Sequence, residues 1–365
     1  MTFEKIKKNF GFGCMRLKMN GDKVDYAEFN RMIDAFIDAG FNYFDTAHGY
    51  IDGKSETAIR DCLSARYNRE DFVLANKLSE WYFEKEEDVL PLFESQLKLC
   101  GVDYFDFYLF HCLNRKSYPK HKACNTFEIV KKLKEQGKVK HIAMSFHDTA
   151  DILDMILAEQ PCIEVVQLQI NYLDYDDPSV QSKACYDVAV KHGKKVIVME
   201  PVKGGALVNL PDKAAKVLDD LKGGSYASYA LRYTASYPEV FMVLSGMGNM
   251  DMMKDNLNTF SPFVPFTEEE FKATDRVREI IREVRQVPCT KCNYCGEVCP
   301  KNIPISELFS VYNKYLAAKI TSGDAKNEFP KDKPTAADCI KCGKCENVCP
   351  QNIEIRNQLE KIAKM

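Results

Sequence analysis

Residues 41–50 read FNYFDTAHGY. The first five form a short, mostly apolar, β-favouring run that ends on Asp45, and a polar loop follows at once. The same grammar recurs along the chain. Strand-like runs lie at 10–15, 41–45, 72–76, 105–110, 141–144, 165–168, 195–199 and 241–244, separated by amphipathic stretches such as 26–39, 55–65, 86–99, 126–136, 180–192 and 226–236. Strands alternating with helices predict an α/β protein with a parallel sheet, and eight strands is the number that closes a (β/α)8 TIM barrel. Gly40, Gly101, Gly137 and Gly193 each follow a helical stretch, where a positive φ is cheap for glycine.

A doubly wound sheet would place a glycine-rich turn between its first strand and a helix. The GFG at 11–13 lies inside the first strand-like run and lacks the third glycine. Gly53-Lys54-Ser55 resembles the end of a phosphate-binding loop, but His48 stands where the first glycine is required for close backbone approach.

The chain has 365 residues, 45% hydrophobic and 28% charged, so it can bury a large core and leaves room for a second, small domain. A net charge of −3 argues against a polyanion-binding protein, so nucleic acid is not expected as a partner. No apolar run approaches the roughly 20 residues that span a bilayer, and MTFEKIKKNF has no apolar signal core. No membrane association and a cytoplasmic location are therefore expected.

Of fifteen cysteines, Cys14, Cys62, Cys100, Cys112, Cys124, Cys162 and Cys185 are scattered and read as small packing residues. The other eight form two runs, CTKCNYCGEVCPKNIPI from Cys289 and CIKCGKCENVCPQNIEI from Cys339. Without an export signal, these read as reduced thiolate ligands for metal rather than as disulfides. Cys289, Cys292, Cys295 and Cys299 make one C-x2-C-x2-C-x3-C-P run, and Cys339, Cys342, Cys345 and Cys349 the other. Zinc sites use pairs of ligands and do not show this pattern. The spacing is that of bacterial ferredoxins with two [4Fe–4S] clusters, in which the fourth cysteine of each run ligates the other cluster. The sets would be Cys289, Cys292, Cys295 with Cys349, and Cys339, Cys342, Cys345 with Cys299. We therefore expect a barrel over 1–285 and a small α+β or α ferredoxin-like dicluster domain over 286–365, with a polar linker at 314–337.

The barrel half carries a second signature: Asp45-Thr46-Ala47-His48-Gly49-Tyr50, Gly53-x-Ser55-Glu56, Ala75-Asn76-Lys77 and Leu109-Phe110-His111. Each motif ends or follows a predicted strand, where a barrel places catalytic groups. These residues resemble the Asp, Tyr, Lys and His tetrad of the aldo/keto reductases, and the resemblance covers about residues 3–285. It implies reduction of a carbonyl, or oxidation of an alcohol, with NADP or NAD. Charge that builds on a carbonyl oxygen needs a proton. Tyr50 is the implied donor. Lys77 would lower the pKa of the phenol, Asp45 would hold Lys77, and His111 would hydrogen-bond the substrate oxygen.

The resemblance also implies that Ser145 and Gln167 hold the nicotinamide carboxamide, with Met199, Gly246 and Asn256 completing the cofactor site. Three positions depart from the family: Phe146 follows Ser145 where Asn is usual, Met199 replaces a stacking aromatic, and Met252 stands where an Arg often binds the 2′-phosphate. A methionine sulfur can still lie against a ring. Trp81, Tyr82, Asn114, Phe146 and Tyr172 are candidate walls of the substrate pocket, while His48 and His147 read as polar loop residues.

Two functions fit these motifs. One is an NAD(P)-dependent oxidoreductase of aldo/keto reductase type with an iron–sulfur module. Nicotinamide moves two electrons together and a cluster moves one, and no flavin motif is evident to split the pair. The clusters would then serve a partner flavoprotein or other redox partner, act on a substrate radical, or be structural. The alternative is a non-catalytic redox-sensing or docking module that retains the barrel, against which the complete tetrad argues.

Overall fold

Among the described residues ten strands form in chain order: β1 (Phe10–Gly13), β2 (Met19–Asn20), β3 (Lys23–Val24), β4 (Tyr43–Asp45), β5 (Val73–Ser79), β6 (Phe105–Leu113), β7 (Val139–Phe146), β8 (Val165–Gln169), β9 (Lys195–Met199) and β10 (Val240–Ser245). This computed structural model describes residues 3–283, 286–317 and 319–365. β1 and β4 to β10 are parallel neighbours in sequence order, and β1 pairs with both β4 and β10, which closes an eight-stranded barrel. β2 and β3 form a separate antiparallel hairpin that the sequence patterns did not suggest.

Strands buried on both faces need continuous apolar runs, and those of β4, β5 and β8 are buried throughout. Inside the barrel, Tyr43, Ala75, Phe107, Leu109, Val165, Ile197 and Met242 belong to one packed cluster. Gly11 of β1 belongs to this interior, because a Cβ there would stand 2.7 Å from Leu244 and 2.9 Å from the Tyr43 ring. Its glycine is a packing requirement.

The helices follow from their stripes. Tyr26–Asp38 buries Phe29, Met32, Ile33 and Phe36 at helical spacing, and the Asp25 side chain caps it by accepting from the Glu28 amide at 3.0 Å. Gly40, Gly101, Gly137 and Gly193 all take positive φ. The helix expected at 55–65 starts at Lys54 and changes at Arg60 to a π turn over Arg60–Ser64. The principal difference from the sequence reading is strand length. β5 and β6 each run three residues beyond the expected ends, so Lys77 and His111 lie within strands.

By internal contacts the chain forms two units: Met1–Pro201 with Ala227–Thr267, and Val202–Tyr226 with Glu268–Met365. The second begins earlier than the expected 285/286 boundary and takes in the helix Asp212–Asp219, which packs on Glu268–Glu283. Val284 and Arg285, beside the expected domain boundary, lie outside the described residues.

Among its described residues the second unit contains helices and loops and no strand, which selects the helical form of the expected small domain. The cysteine repeat folds twice in one way. Short helices Tyr294–Glu297 and Lys344–Asn347 are followed by Ile305–Leu316 and Ile355–Ala363. Positive φ recurs at Lys291 and Lys341, Asn293 and Gly343, and Asn302 and Asn352. Corresponding residues of both halves, Ile303 with Ile353 and Ile305 with Ile355, share one core.

Gly204, at φ +59, lies flat against the backbone of Thr290, and a Cβ there would overlap the Thr290 carbonyl. Gly204→Ala should therefore cost more than the roughly 1–3 kcal/mol of the strained dihedral alone. Chemical denaturation should show a lowered midpoint for the second unit; an unchanged midpoint would show that the contact relaxes freely.

Candidate functional site

The polar ends of the barrel strands converge through register. Asp45 ends β4 opposite Ala75 of β5, and two pleats further along β5 Ser79 stands opposite His111 of β6. Ala75, Lys77 and Ser79 share one face because strand side chains alternate. The Lys77 side chain is fully buried, its Nζ donating to Asp45 Oδ1 at 2.5 Å and to the Thr46 carbonyl at 2.8 Å. Tyr50 lies in the turn after β4, with its ring centroid 4.7 Å from Lys77 Nζ, so the ammonium stands over the ring. The ring of His111 is 6.1 Å from that of Tyr50, and its Nδ1 is 2.6 Å from Ser79 Oγ. Asp45, Tyr50, Lys77 and His111 are thus gathered together.

Burial sets their protonation. It would push the Lys77 ammonium down, but Asp45 and Tyr50 outweigh it and hold Lys77 above its ordinary value, so it remains charged. Burial pushes Tyr50 up to about 12, against the pull of Lys77. This corrects the expectation of a lowered phenol pKa, because desolvation exceeds the help of one ammonium. Burial, reinforced by Lys77, holds His111 well below the ordinary imidazole value, so it is neutral at pH 7.

A buried hydrogen-bond chain stands behind the tetrad. His48 Nδ1 is 2.7 Å from Glu56 Oε2, and Asn76 Nδ2 donates to Glu56 Oε1 at 2.8 Å. Asn76 Oδ1 accepts the Lys77 amide at 2.8 Å, while Gln96 Nε2 donates to the Lys77 carbonyl at 2.9 Å and takes the Tyr108 hydroxyl on Oε1 at 2.6 Å. Lys77 is therefore held through its backbone as well as its side chain. The sequence reading missed Ser79, Gln96 and Tyr108. A longer β5 would have put Ser79 on the Lys77 face, whereas Gln96 and Tyr108 carry no local signal.

Ser145 of β7 and Gln167 of β8 are direct register partners, and both are buried. Ser145 Oγ accepts the Cys112 amide at 2.8 Å and keeps its own proton to donate; Gln167 Nε2 donates to Asp45 Oδ2 at 3.3 Å and keeps its amide oxygen as an acceptor. A neighbouring donor and acceptor suit a carboxamide. Asn256 is buried and donates to Ser245 Oγ at 3.1 Å, Gly246 is exposed just after β10, and Met199 is half-buried at the end of β9. Cys112 sits at φ +54 where the β6–β7 register slips between Phe110 and Leu113, a bulge beside His111.

The expected pocket walls divide. The Trp81 ring lies 5.2 Å from that of His111, and Tyr82 packs on the His48 ring at 4.7 Å; both are partly exposed. Asn114 builds the turn after β6, its Oδ1 accepting the amides of Lys116 and Ser117. Phe146 and Tyr172 are buried, Tyr172 against the Tyr233 ring at 5.9 Å.

In the second unit, Cys289, Cys292, Cys295 and Cys349 line one surface cavity, and Cys299, Cys339, Cys342 and Cys345 line another. Each cavity combines three cysteines of one run with the fourth of the other. The Lys291 amide donates to Cys289 Sγ at 3.4 Å. Among the described residues no three side chains converge on a point suited to one metal ion. Thiols spaced around an open cavity suit a group of several irons, so the residues present fit a cluster in each.

Removing Lys77 leaves Asp45 as an uncompensated buried charge. Lys77→Met should destabilise the barrel by roughly 3–5 kcal/mol, and the double variant Asp45→Asn/Lys77→Met should recover part of that loss in urea denaturation. Strictly additive losses would deny the coupling.

Comparison with known proteins agrees with this fold. The aldo/keto reductase family model matches residues 9–279, and a 4Fe-4S dicluster domain matches residues 288–354. An uncharacterized oxidoreductase of Bacillus subtilis, YqkF, is 23% identical over 297 residues, covering 72% of this chain and 90% of the relative. An aldo-keto reductase of Mycolicibacterium smegmatis is 25% identical over 63% of this chain and 78% of its own length. Among solved structures, the holo form of aldo-keto reductase AKR11C1 from Bacillus halodurans superposes with a TM-score of 0.62 at 23% identity, covering 74% of this chain and 91% of that one. A Klebsiella pneumoniae aldo-keto reductase in complex with NADPH gives 0.61 at 18% identity, over 75% and 95% of the two chains. With a buried Asp45–Lys77 pair at the strand ends and a family match across most of its length, this chain belongs to the aldo/keto reductase family and carries a 4Fe-4S dicluster domain after the barrel.

Proposed function

We propose that the barrel is an NAD(P)-dependent oxidoreductase that reduces a carbonyl, or oxidises the corresponding alcohol, and that the C-terminal domain carries two [4Fe–4S] clusters for one-electron exchange. The observation that carries the first part is the Tyr50 ring 4.7 Å from the buried, charged Lys77, which is paired with Asp45, beside a neutral His111. Ser145 and Gln167 would hold the nicotinamide carboxamide, with Met199, Gly246 and Asn256 along the rest of the cofactor. When bound, the nicotinamide supplies the hydride.

Every other role falls to the chain's own groups. Tyr50 holds a proton at the position where a carbonyl oxygen gains charge, and its high pKa keeps that proton in place across the neutral range. Lys77 stabilises the phenolate left after transfer, and Asp45 fixes Lys77. The neutral His111 ring, held at Nδ1 by Ser79, orients the substrate oxygen. Trp81 shields the site from water. The substrate is read as a small carbonyl or alcohol compound, and the clusters are proposed to rest on Cys289, Cys292, Cys295 and Cys349, and on Cys339, Cys342, Cys345 and Cys299, as the two cavities suggest.

Tyr50→Phe should lower turnover on a carbonyl panel by about 100-fold or more, with NADH and NADPH binding by fluorescence nearly unchanged. Full activity in that variant would sink the assignment. Because Tyr50 stays protonated and His111 neutral, carbonyl reduction should show no inflection from these groups between about pH 6 and about pH 9, and should decline only as the medium approaches the raised phenol pKa. Anaerobic analysis should return about eight iron and about eight sulfide per chain; about four of each would remove one cluster.

A further inference from the structure

The two halves of the cysteine repeat fold alike, but their surfaces differ. In the first, Thr290 follows Cys289 and is buried under Gly204 of the segment Lys203–Val208. Its counterpart Ile340 follows Cys339 and is 57% exposed, the largest exposure recorded for a large hydrophobic among the described residues. Cys342, the counterpart of the half-buried Cys292, is the one exposed cysteine of the fifteen. The chain thus covers one repeat with its own backbone and leaves the equivalent place on the other bare.

Charge separates the two sites in the same sense. The cavity of the first set has no charged residue in its lining, where Thr290, Asn293 and Gln351 supply the polar groups. The cavity of the second is edged by Lys301, Lys341 and Arg356. Nearby carboxylates are Glu360, 3.2 Å from Lys341; Glu346, 2.7 Å from Arg356; and Asp338, whose side chain accepts the Thr335 amide. Lys301 makes no salt bridge among the described residues. From residue 286 onward the chain has twelve Lys and Arg against nine Asp and Glu, although the whole chain is net negative.

We propose that Ile340, Lys301, Lys341 and Arg356 form the docking surface for an acidic one-electron carrier protein, and that electrons cross between carrier and chain at the Cys299–Cys339–Cys342–Cys345 site. An apolar centre edged by Lys301, which has no salt bridge among the described residues, and by Lys341 and Arg356, which share their charge with Glu360 and Glu346, matches a carrier whose redox group is surrounded by carboxylates able to compete for those cations. One electron leaves the carrier and the chain's cluster is reduced by one; no covalent bond forms or breaks. The surface rests on the reading that clusters occupy the two cavities.

The test uses the anaerobically purified holoprotein and photoreduced flavodoxin, an acidic flavin protein. Iron and sulfide are measured first, since a chain without clusters refutes the underlying reading and a loaded chain isolates the surface. The loss of cluster absorbance on mixing should be fast at low ionic strength and fall steeply with added salt. Lys301→Glu/Lys341→Glu should slow it by about ten-fold or more, while Lys319→Glu, at an exposed lysine outside both cavity linings, should stay within about two-fold of the parent. Carbodiimide cross-linking, read by mass spectrometry, should join flavodoxin carboxylates to Lys301 or Lys341. If the double variant fails to load iron, the salt dependence and cross-link positions of the unmodified protein decide. A salt-independent rate, equal slowing by Lys319→Glu, or cross-links confined to other lysines would overturn the proposal.

Discussion

A fully buried ammonium governs the barrel site. Lys77 has no access to water, so its charge needs partners within the protein: Asp45 and the Thr46 carbonyl accept from it, and the Tyr50 ring lies against it. These groups reach one nitrogen only if β4 and β5 are in their observed register and the loop after β4 turns back over its own strand. The chain through Asn76, Gln96 and Tyr108 holds the Lys77 backbone from behind, so the charge is fixed at both ends. A charge held this tightly does not reorganise when a neighbouring oxygen gains charge, which is the condition for stabilising that charge strongly.

Burial has a second consequence at the same place. The environment that makes the Lys77 pairing strong in Coulombic terms also penalises the ionised phenol and the protonated imidazole. Tyr50 therefore keeps its proton and His111 lacks one, a donor and a neutral partner side by side. The effect of Lys77 on Tyr50 is real but subordinate to desolvation.

The second unit achieves a different result by duplication. Two copies of one loop-and-helix pattern share a core through Ile303, Ile305, Ile353 and Ile355, and each lends its fourth cysteine to the other copy's cavity. Neither half can complete a cavity alone. The symmetry breaks at the surface, where Gly204 reaches the backbone of Thr290 only because it has no side chain, and nothing equivalent lies over Ile340. Two sites of common origin are thereby given different access to solvent and different charge.

The sequence by itself determined the eight strands, the tetrad residue types and the spacing of both cysteine runs, since short apolar runs and ligand spacing are local properties of the chain. It also indicated where the helices carry glycine after their ends. Strand length was less legible: β5 and β6 continue through Lys77 and His111, because barrel register can pair polar residues that no local pattern marks as strand. The hairpin at Met19–Val24, the support of Lys77 by Gln96 and Tyr108, and the burial of Tyr172 were visible only in the fold. The protonation of Tyr50 likewise depends on how much water the assembled barrel excludes. So does the difference between Thr290 and Ile340, which turns on a segment more than eighty residues earlier in the chain. Contacts between residues distant in sequence, and the desolvation they produce, are properties of the packed structure and of no single stretch within it.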